Sequence, residues 1–242
     1  MKARLSSLLR IPCLAVVVFL ASFLSAAPSD DATVLTVDGA PVSVAEYRLV
    51  MEGRTAEVFN YFHGKSGLED HMGYWKDDGK PENPILRLRS VVTVEFRRIK
   101  TIQGLAEKKG LLKDASFAAF REGLMAENAR RQKAVDNKEV IYGPRHYQPY
   151  RYYYFQLKDL EQALLEIFQK EPANAIPEPD IAAFYTTHKE SIGDKPLSDL
   201  REQIARMFQK KNFEKWIETT AAQARVEVDD AVLTALAPRQ DP

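Results

Sequence analysis

Two β-branched runs stand near opposite ends of the chain, Val34-Leu35-Thr36-Val37 and Val226-Glu227-Val228, and helical periodicity fills most of the sequence between them. Strands of three or four residues are not stable alone and need partners over a covered face. The simplest arrangement pairs the two runs. That pairing would bring the N- and C-terminal segments of a helical domain, residues 34–230, together into one lobe. The expected fold class is therefore mainly α, with short terminal β-strands pairing, and residues 231–242, which carry Pro238 and Pro242, are expected as a flexible tail.

The first run ends at Asp38-Gly39, a strong turn signal. Ser43-Val44-Ala45-Glu46 follows with the form of a capping box, in which Ser43 caps a helix and Glu46 reaches back to the cap. This helix should run from Val44 to about Phe62. Residues 63–84 hold Gly64, Gly67, Gly73, Gly79, Pro81 and Pro84 and predict a long loop pinned by Tyr74 and Trp75. A second helix is expected from Ile85 to Lys109, with Glu95 as a charged break in its apolar spacing and Gly110 as its stop. Asp114 is placed to cap a third helix reaching about Val135. Helical spacing resumes near Tyr150 and ends at Pro172. A short helix then starts at Glu178 or Asp180, and a long one occupies Leu197–Ala224.

The full chain has 34 Lys+Arg against 34 Asp+Glu, which speaks against nucleic acid as a partner, because phosphate contacts need concentrated basic residues. Within it, residues 1–27 carry Lys2, Arg4 and Arg10 and no acid, followed by an apolar run from Ile11 to Leu24 and the small residues Ser25, Ala26 and Ala27. This is the pattern of a secretory signal, with cleavage expected after Ala26, and an uncleaved N-terminal anchor is the alternative. Such a run is shorter than the ~20 residues that span a bilayer, so no stable membrane span is expected after cleavage. The one cysteine, Cys13, belongs to that leader. The expected location is extracytoplasmic (periplasm, cell envelope or secreted), and the remaining chain, lacking thiols, must rely on its own core.

No catalytic constellation stands out. Gly64-Lys65-Ser66 has Phe59 where a phosphate-binding loop needs a glycine. His63, Asp70, His71, Asp77 and Asp78 lie close together without a metal-ligand spacing, so a solvated polar loop is expected and no metal or cofactor. Six of the ten tyrosines, Tyr142, Tyr147, Tyr150, Tyr152, Tyr153 and Tyr154, fall within one short segment. Tyrosine combines a broad apolar face with a hydrogen-bonding tip and suits the gripping of varied extended chains. The same residues can equally staple the segment to the core, and both readings stay open. Arg130 and Arg131, in Glu127-Asn128-Ala129-Arg130-Arg131, are candidates to grip carbonyls or carboxylates of a bound chain. The competing reading is an ordinary i,i+4 pair of Glu127 with Arg131.

The order of elements resembles the SurA/PrsA-type extracytoplasmic foldases. Val34 to Tyr47, with its V-D-G turn and S-V-A-E-Y, is similar to that family's opening strand, turn and helix. Ile176-Pro177-Glu178-Pro179-Asp180-Ile181-Ala182-Ala183-Phe184-Tyr185 resembles its I-[ST]-E-x-[DE]-I-x-x-[FY]-Y segment, and the long helix with Arg225-Val226-Glu227-Val228-Asp229 resembles its last helix and strand. Trp75, E-N-x-R-R at 127–131 and V-I-Y-G-P at 140–144 look like a secreted bacterial subgroup. Two-part members place a parvulin-type prolyl isomerase of roughly 90–100 residues, a small domain's size, after the F-Y segment. Here only Ser191 to Lys195 separates that segment from the long helix. The resemblance thus implies a SurA N-terminal-like helical chaperone module without its catalytic domain. It would be an ATP-independent protein that binds unfolded or extended client polypeptides. Two alternatives are an envelope protein with one dedicated partner and a residual peptidyl-prolyl isomerase. The oligomeric state is left open.

Overall fold

The computed structural model describes residues 27–69, 71 and 73–238. The expected leader and its cleavage site at Ala26 lie outside the described residues, as do Asp70 and residues 239–242. The elements in chain order are β1 (Thr33–Val37), β2 (Ala40–Ser43), α1 (Val44–Ser66), α2 (Pro84–Lys108), α3 (Phe117–Asp136), α4 (Pro149–Lys170), a 3-10 turn at Pro172–Asn174, α5 (Glu178–Thr187), α6 (Lys189–Ile192), α7 (Leu197–Gln223), β3 (Val226–Val228) and α8 (Asp230–Thr234). The protein is mainly helical with a small antiparallel sheet.

The two terminal runs do pair: β1 lies antiparallel to β3, with Leu35 opposite Val228 and Val37 opposite Val226. A further strand, absent from the sequence reading, completes the order β2-β1-β3. Asp38 and Gly39 both take positive φ, 50° and 82°, which matches the two-residue hairpin turn that Asp-Gly favours. Asp38 also ties the hairpin to the far end of the chain. Its backbone N–H donates to the Arg225 carbonyl at 2.8 Å, and its carboxylate accepts from the Arg225 N–H at 2.8 Å.

The main core lies among α1, α2, α4, α7 and the covered face of the sheet, and Tyr47, Phe96, Phe213, Ile217 and Leu35 are fully buried in it. Tyr47 stacks on Phe96 with ring centroids 5.6 Å apart. In the loop before α2, Tyr74 is buried and Trp75 packs on the core. Asp77 serves local structure there: its Oδ1 accepts from Gly79 N at 2.9 Å and from Asn83 Nδ2 at 3.0 Å. Asn83, itself buried, caps α2 by accepting from the Leu86 N–H at 3.0 Å.

Three sequence expectations are corrected. Ser43 accepts from the Glu46 N–H at 3.2 Å, but the Glu46 carboxylate turns into the core instead of back to the cap. Ser116, not Asp114, caps α3, and Asp114 braces the turn by accepting from the Ser116 N–H at 2.7 Å. Residues 230–236, after β3, are also anchored rather than loose. Residues 230–234 form α8, Leu236 is buried, and Arg89 Nη2 donates to the carbonyls of Thr234 and Leu236 at 2.9 and 3.0 Å. An apolar anchor and two donated hydrogen bonds fix a segment whose composition alone suggests disorder.

Among the described residues, no helix is long and apolar enough to cross a membrane.

Candidate functional site

The tyrosine segment divides into groups with different surroundings. Tyr147, Tyr152 and Tyr153 are buried, Tyr150 and Tyr154 are half-buried, and Tyr142 is 88% exposed. Tyr153 and Tyr154 are consecutive on α4, so they point about 100° apart and address two helices. The Tyr153 hydroxyl donates to Glu46 Oε1 on α1 at 2.6 Å, and the Tyr154 hydroxyl donates to Glu95 Oε1 on α2 at 3.0 Å. Both carboxylates have cationic partners: Lys100 Nζ meets the two oxygens of Glu46 at 2.9 and 3.0 Å, and Arg54 meets Glu95 at 2.7 Å. Tyr150 lies over Gly53 of α1, where a Cβ would come within 2.0 Å of its ring, so glycine makes this approach of α4 to α1 possible. The three tyrosines nearest α1 and α2 thus fasten α4 to them. The expectation that they belong to a client-gripping surface is corrected at Tyr153, whose hydroxyl is already engaged in the core.

Burial pushes the Tyr47 phenol up to about 12 and the Tyr153 phenol well above its ordinary value, the latter with help from the Glu46 charge. A raised pKa favours the neutral form in the folded state, so these groups stabilise the fold fully below the unfolded value of about 10. That contribution fades as pH rises through the folded values. The melting temperature is expected to fall steeply above about pH 10, with phenolate absorbance appearing at the unfolding step. A flat stability profile to pH 12, with phenolate formed in the folded protein, would refute the assignment.

The arginines also separate. Arg130 is exposed and pairs with Glu127. Arg131 is buried, and it does grip carbonyls, but those of its own chain: Nη1 donates to Tyr142 O at 3.0 Å and to Pro144 O at 2.7 Å. Its Nε donates to Glu127 Oε1 at 2.8 Å, and its guanidinium lies 4.4 Å from the centre of the Tyr147 ring. Beside it, Asn128 brackets Tyr147, accepting from its N–H at 2.8 Å and donating to its carbonyl at 3.1 Å. Glu127, Asn128 and Arg131 together hold residues 142–147 in place. Gly143, at φ 83°, supplies the backbone bend that keeps these carbonyls within reach.

Three adjoining clefts lie around the first turns of α3, a helix that packs mainly on α4. A groove of about 450 Å³ runs between α1 and α3, walled by Leu49, Phe117, Phe120, Leu124 and Met125, with Arg48, Glu52 and Arg121 at its margins. Met125 is 63% exposed. A smaller cleft of about 230 Å³ shares Phe117 and Arg121 with it and reaches the β2 end of the sheet. A third, of about 320 Å³, shares Phe120 and lies between α3, α4 and the turn before α3. Sequence reasoning found Phe117, Phe120 and Leu124 as helix positions but missed Leu49, Arg48, Arg121 and Met125. The i,i+4 spacing of Arg121 and Met125 placed them on one face of α3, but their exposure depends on where that helix docks. Among the described residues, no group of His, Cys, Asp and Glu side chains is placed to hold a metal ion.

Compared with protein families, with curated proteins and with solved structures, the chain matches none.

Proposed function

We propose that the protein is an exported, ATP-independent chaperone-like protein of the SurA N-terminal type, which holds extended apolar segments of unfolded polypeptides in the groove between α1 and α3. The observation that carries the reading is Met125, largely exposed on a wall of Leu49, Phe117, Phe120 and Leu124. A thioether side chain adapts its shape to different neighbours, which suits a surface that meets many sequences. The aromatic and aliphatic wall supplies the non-directional attraction, and Arg48, Glu52 and Arg121 give the groove a polar border. Contacts of this kind, after the cost of ordering a flexible client, leave low affinity and fast release. That behaviour fits a holder that lacks an energy source. The resemblance of the opening strand, turn and helix and of the closing helix and strand to SurA/PrsA-type proteins supports the same reading.

The protein is expected to slow aggregation of a chemically unfolded substrate at near-stoichiometric ratios without ATP. Met125→Glu should weaken binding of an extended apolar peptide by about 1.5–3 kcal/mol, the value of burying a methionine side chain, or roughly tenfold or more in Kd. Because Met125 is exposed, the variant should keep the wild-type melting temperature. Unchanged peptide affinity in the folded variant would sink the groove assignment. Robust proline isomerisation of a tetrapeptide would contradict a purely holding role.

A second reading, a dedicated partner, draws on the loop before α4. There the buried Arg131 clamp presents Val140 and Tyr142, 81% and 88% exposed, in a fixed arrangement. One stoichiometric partner recovered by the wild type, and lost on Tyr142→Ala, would favour it.

A further inference from the structure

Sulfur among the described residues is confined to methionine, because the one cysteine of the chain is Cys13. Three methionines are described, and their settings differ. Met51 is fully buried on α1 in the main core. Met207 is 45% exposed on α7 and does not line the groove. Met125 is exposed on α3 and stands on the groove wall with Leu49, Phe117, Phe120 and Leu124. A dissolved oxidant therefore reaches the Met125 thioether without any opening of the fold, whereas Met51 is shielded. Of the apolar side chains that line the groove, Met125 is the one that mild oxidation makes polar.

We propose that Met125 is a reversible redox switch of the groove: a peroxide converts its thioether to the sulfoxide and closes the site to apolar segments. A sulfur lone pair forms an S–O bond with one peroxide oxygen as the O–O bond breaks. Sulfur is oxidised by two electrons, and the other peroxide oxygen is reduced and leaves as water with both protons. The side chain gains one oxygen atom and no net charge. That oxygen is a strong hydrogen-bond acceptor where the thioether was apolar. Covering it with an apolar client costs its hydration, because Leu49, Phe117, Phe120 and Leu124 beside it have no side-chain donor to offer in return. The switch acts on contacts with the client and not on the fold, since the core thioether of Met51 is out of reach. An extracytoplasmic protein, the location expected from the leader, works outside the reducing cytosol.

The inference rests on the client-holding reading, and its test separates the two. The purified protein is treated with hydrogen peroxide, and mass spectrometry locates the added oxygen. A fluorescently labelled extended apolar peptide is then titrated by anisotropy. Met125 and Met207 are expected to take up oxygen before Met51, with the melting temperature kept. Peptide affinity should fall about tenfold, the effect of roughly 1.4 kcal/mol of uncompensated polar burial. Methionine sulfoxide reductases acting on both epimers should restore it. Met207→Leu should respond to peroxide as the wild type does. Met125→Leu, whatever its own starting affinity, should show no change on treatment. Unchanged affinity of a protein oxidised at Met125 would overturn this inference alone, as would an equal loss of affinity in Met125→Leu. So would a Met125 that resists peroxide as long as Met51 does. Failure of the untreated protein to bind the peptide would overturn the client-holding reading and this inference together.

Discussion

Glu46→Ala should lower stability by about 3–5 kcal/mol, the usual consequence of removing one member of a buried ion pair. The loss arises because Lys100, with its side chain 3% exposed, would be left in an apolar interior with no counter-ion. Tyr153 would lose its acceptor at the same time, since Glu46 receives both the ammonium and the phenol. With total stabilities of ~5–15 kcal/mol for domains of ordinary size, such a loss is a large fraction of the whole. Urea denaturation followed by circular dichroism would measure it. Replacing both members with apolar residues of similar length, Glu46→Leu with Lys100→Met, should recover much of the loss, because no charge is then left unpaired. A single-variant cost under about 1 kcal/mol would mean that water reaches Lys100 and that the pair does not join α1 to α2 as described.

Arg131→Ala should cost about 2–4 kcal/mol, in the range of breaking a buried hydrogen-bond network. One guanidinium serves Glu127, the carbonyls of Tyr142 and Pro144, and the Tyr147 hydroxyl, the last at 3.3 Å. Its removal leaves those carbonyls and the phenol without their donor and takes the cation from the Tyr147 ring. The damage should be local. Amide exchange should accelerate across residues 138–147, while protection in α1 and α2 stays at the wild-type level. Arg131→Lys should restore little, because an ammonium cannot match the planar fork that reaches these acceptors together. Uniform loss of protection throughout the protein would show that the clamp supports the whole fold and not the loop alone.

Much of the architecture was legible in the sequence because local rules and the global fold agree. Two runs too short to stand alone had to find each other, and β1 and β3 do. Pro84, Gly110 and the prolines after Lys170 bound helices by backbone chemistry that operates whatever the tertiary context. The departures have a common cause: a polar residue's role is set by a distant partner. Glu46 satisfied a local capping pattern, yet its carboxylate pairs with Lys100, 54 residues further on. Glu95 was read as a break in an apolar stripe, although it joins Arg54 of α1 to Tyr154 of α4. The β2 strand escaped notice because Ala40-Pro41-Val42-Ser43 has little strand propensity and takes its order from β1 beside it. The tyrosine cluster drew attention by composition, whereas the groove residues Leu49 and Met125 are ordinary helix formers. Only the packing of α3 against α4 reveals that they border open space.

Positions 125 and 94 offer a matched comparison, since Met125 and Val94 are both 63% exposed on helices and only Met125 lines the groove. A benzophenone amino acid placed at each position in turn, followed by irradiation with a chemically unfolded client, tests the central claim directly. The account predicts strong cross-linking to the client from position 125 and little from position 94, with the signal at 125 competed away by an unlabelled extended apolar peptide. Equal cross-linking from both positions, or a signal at 125 that the peptide does not diminish, would contradict it.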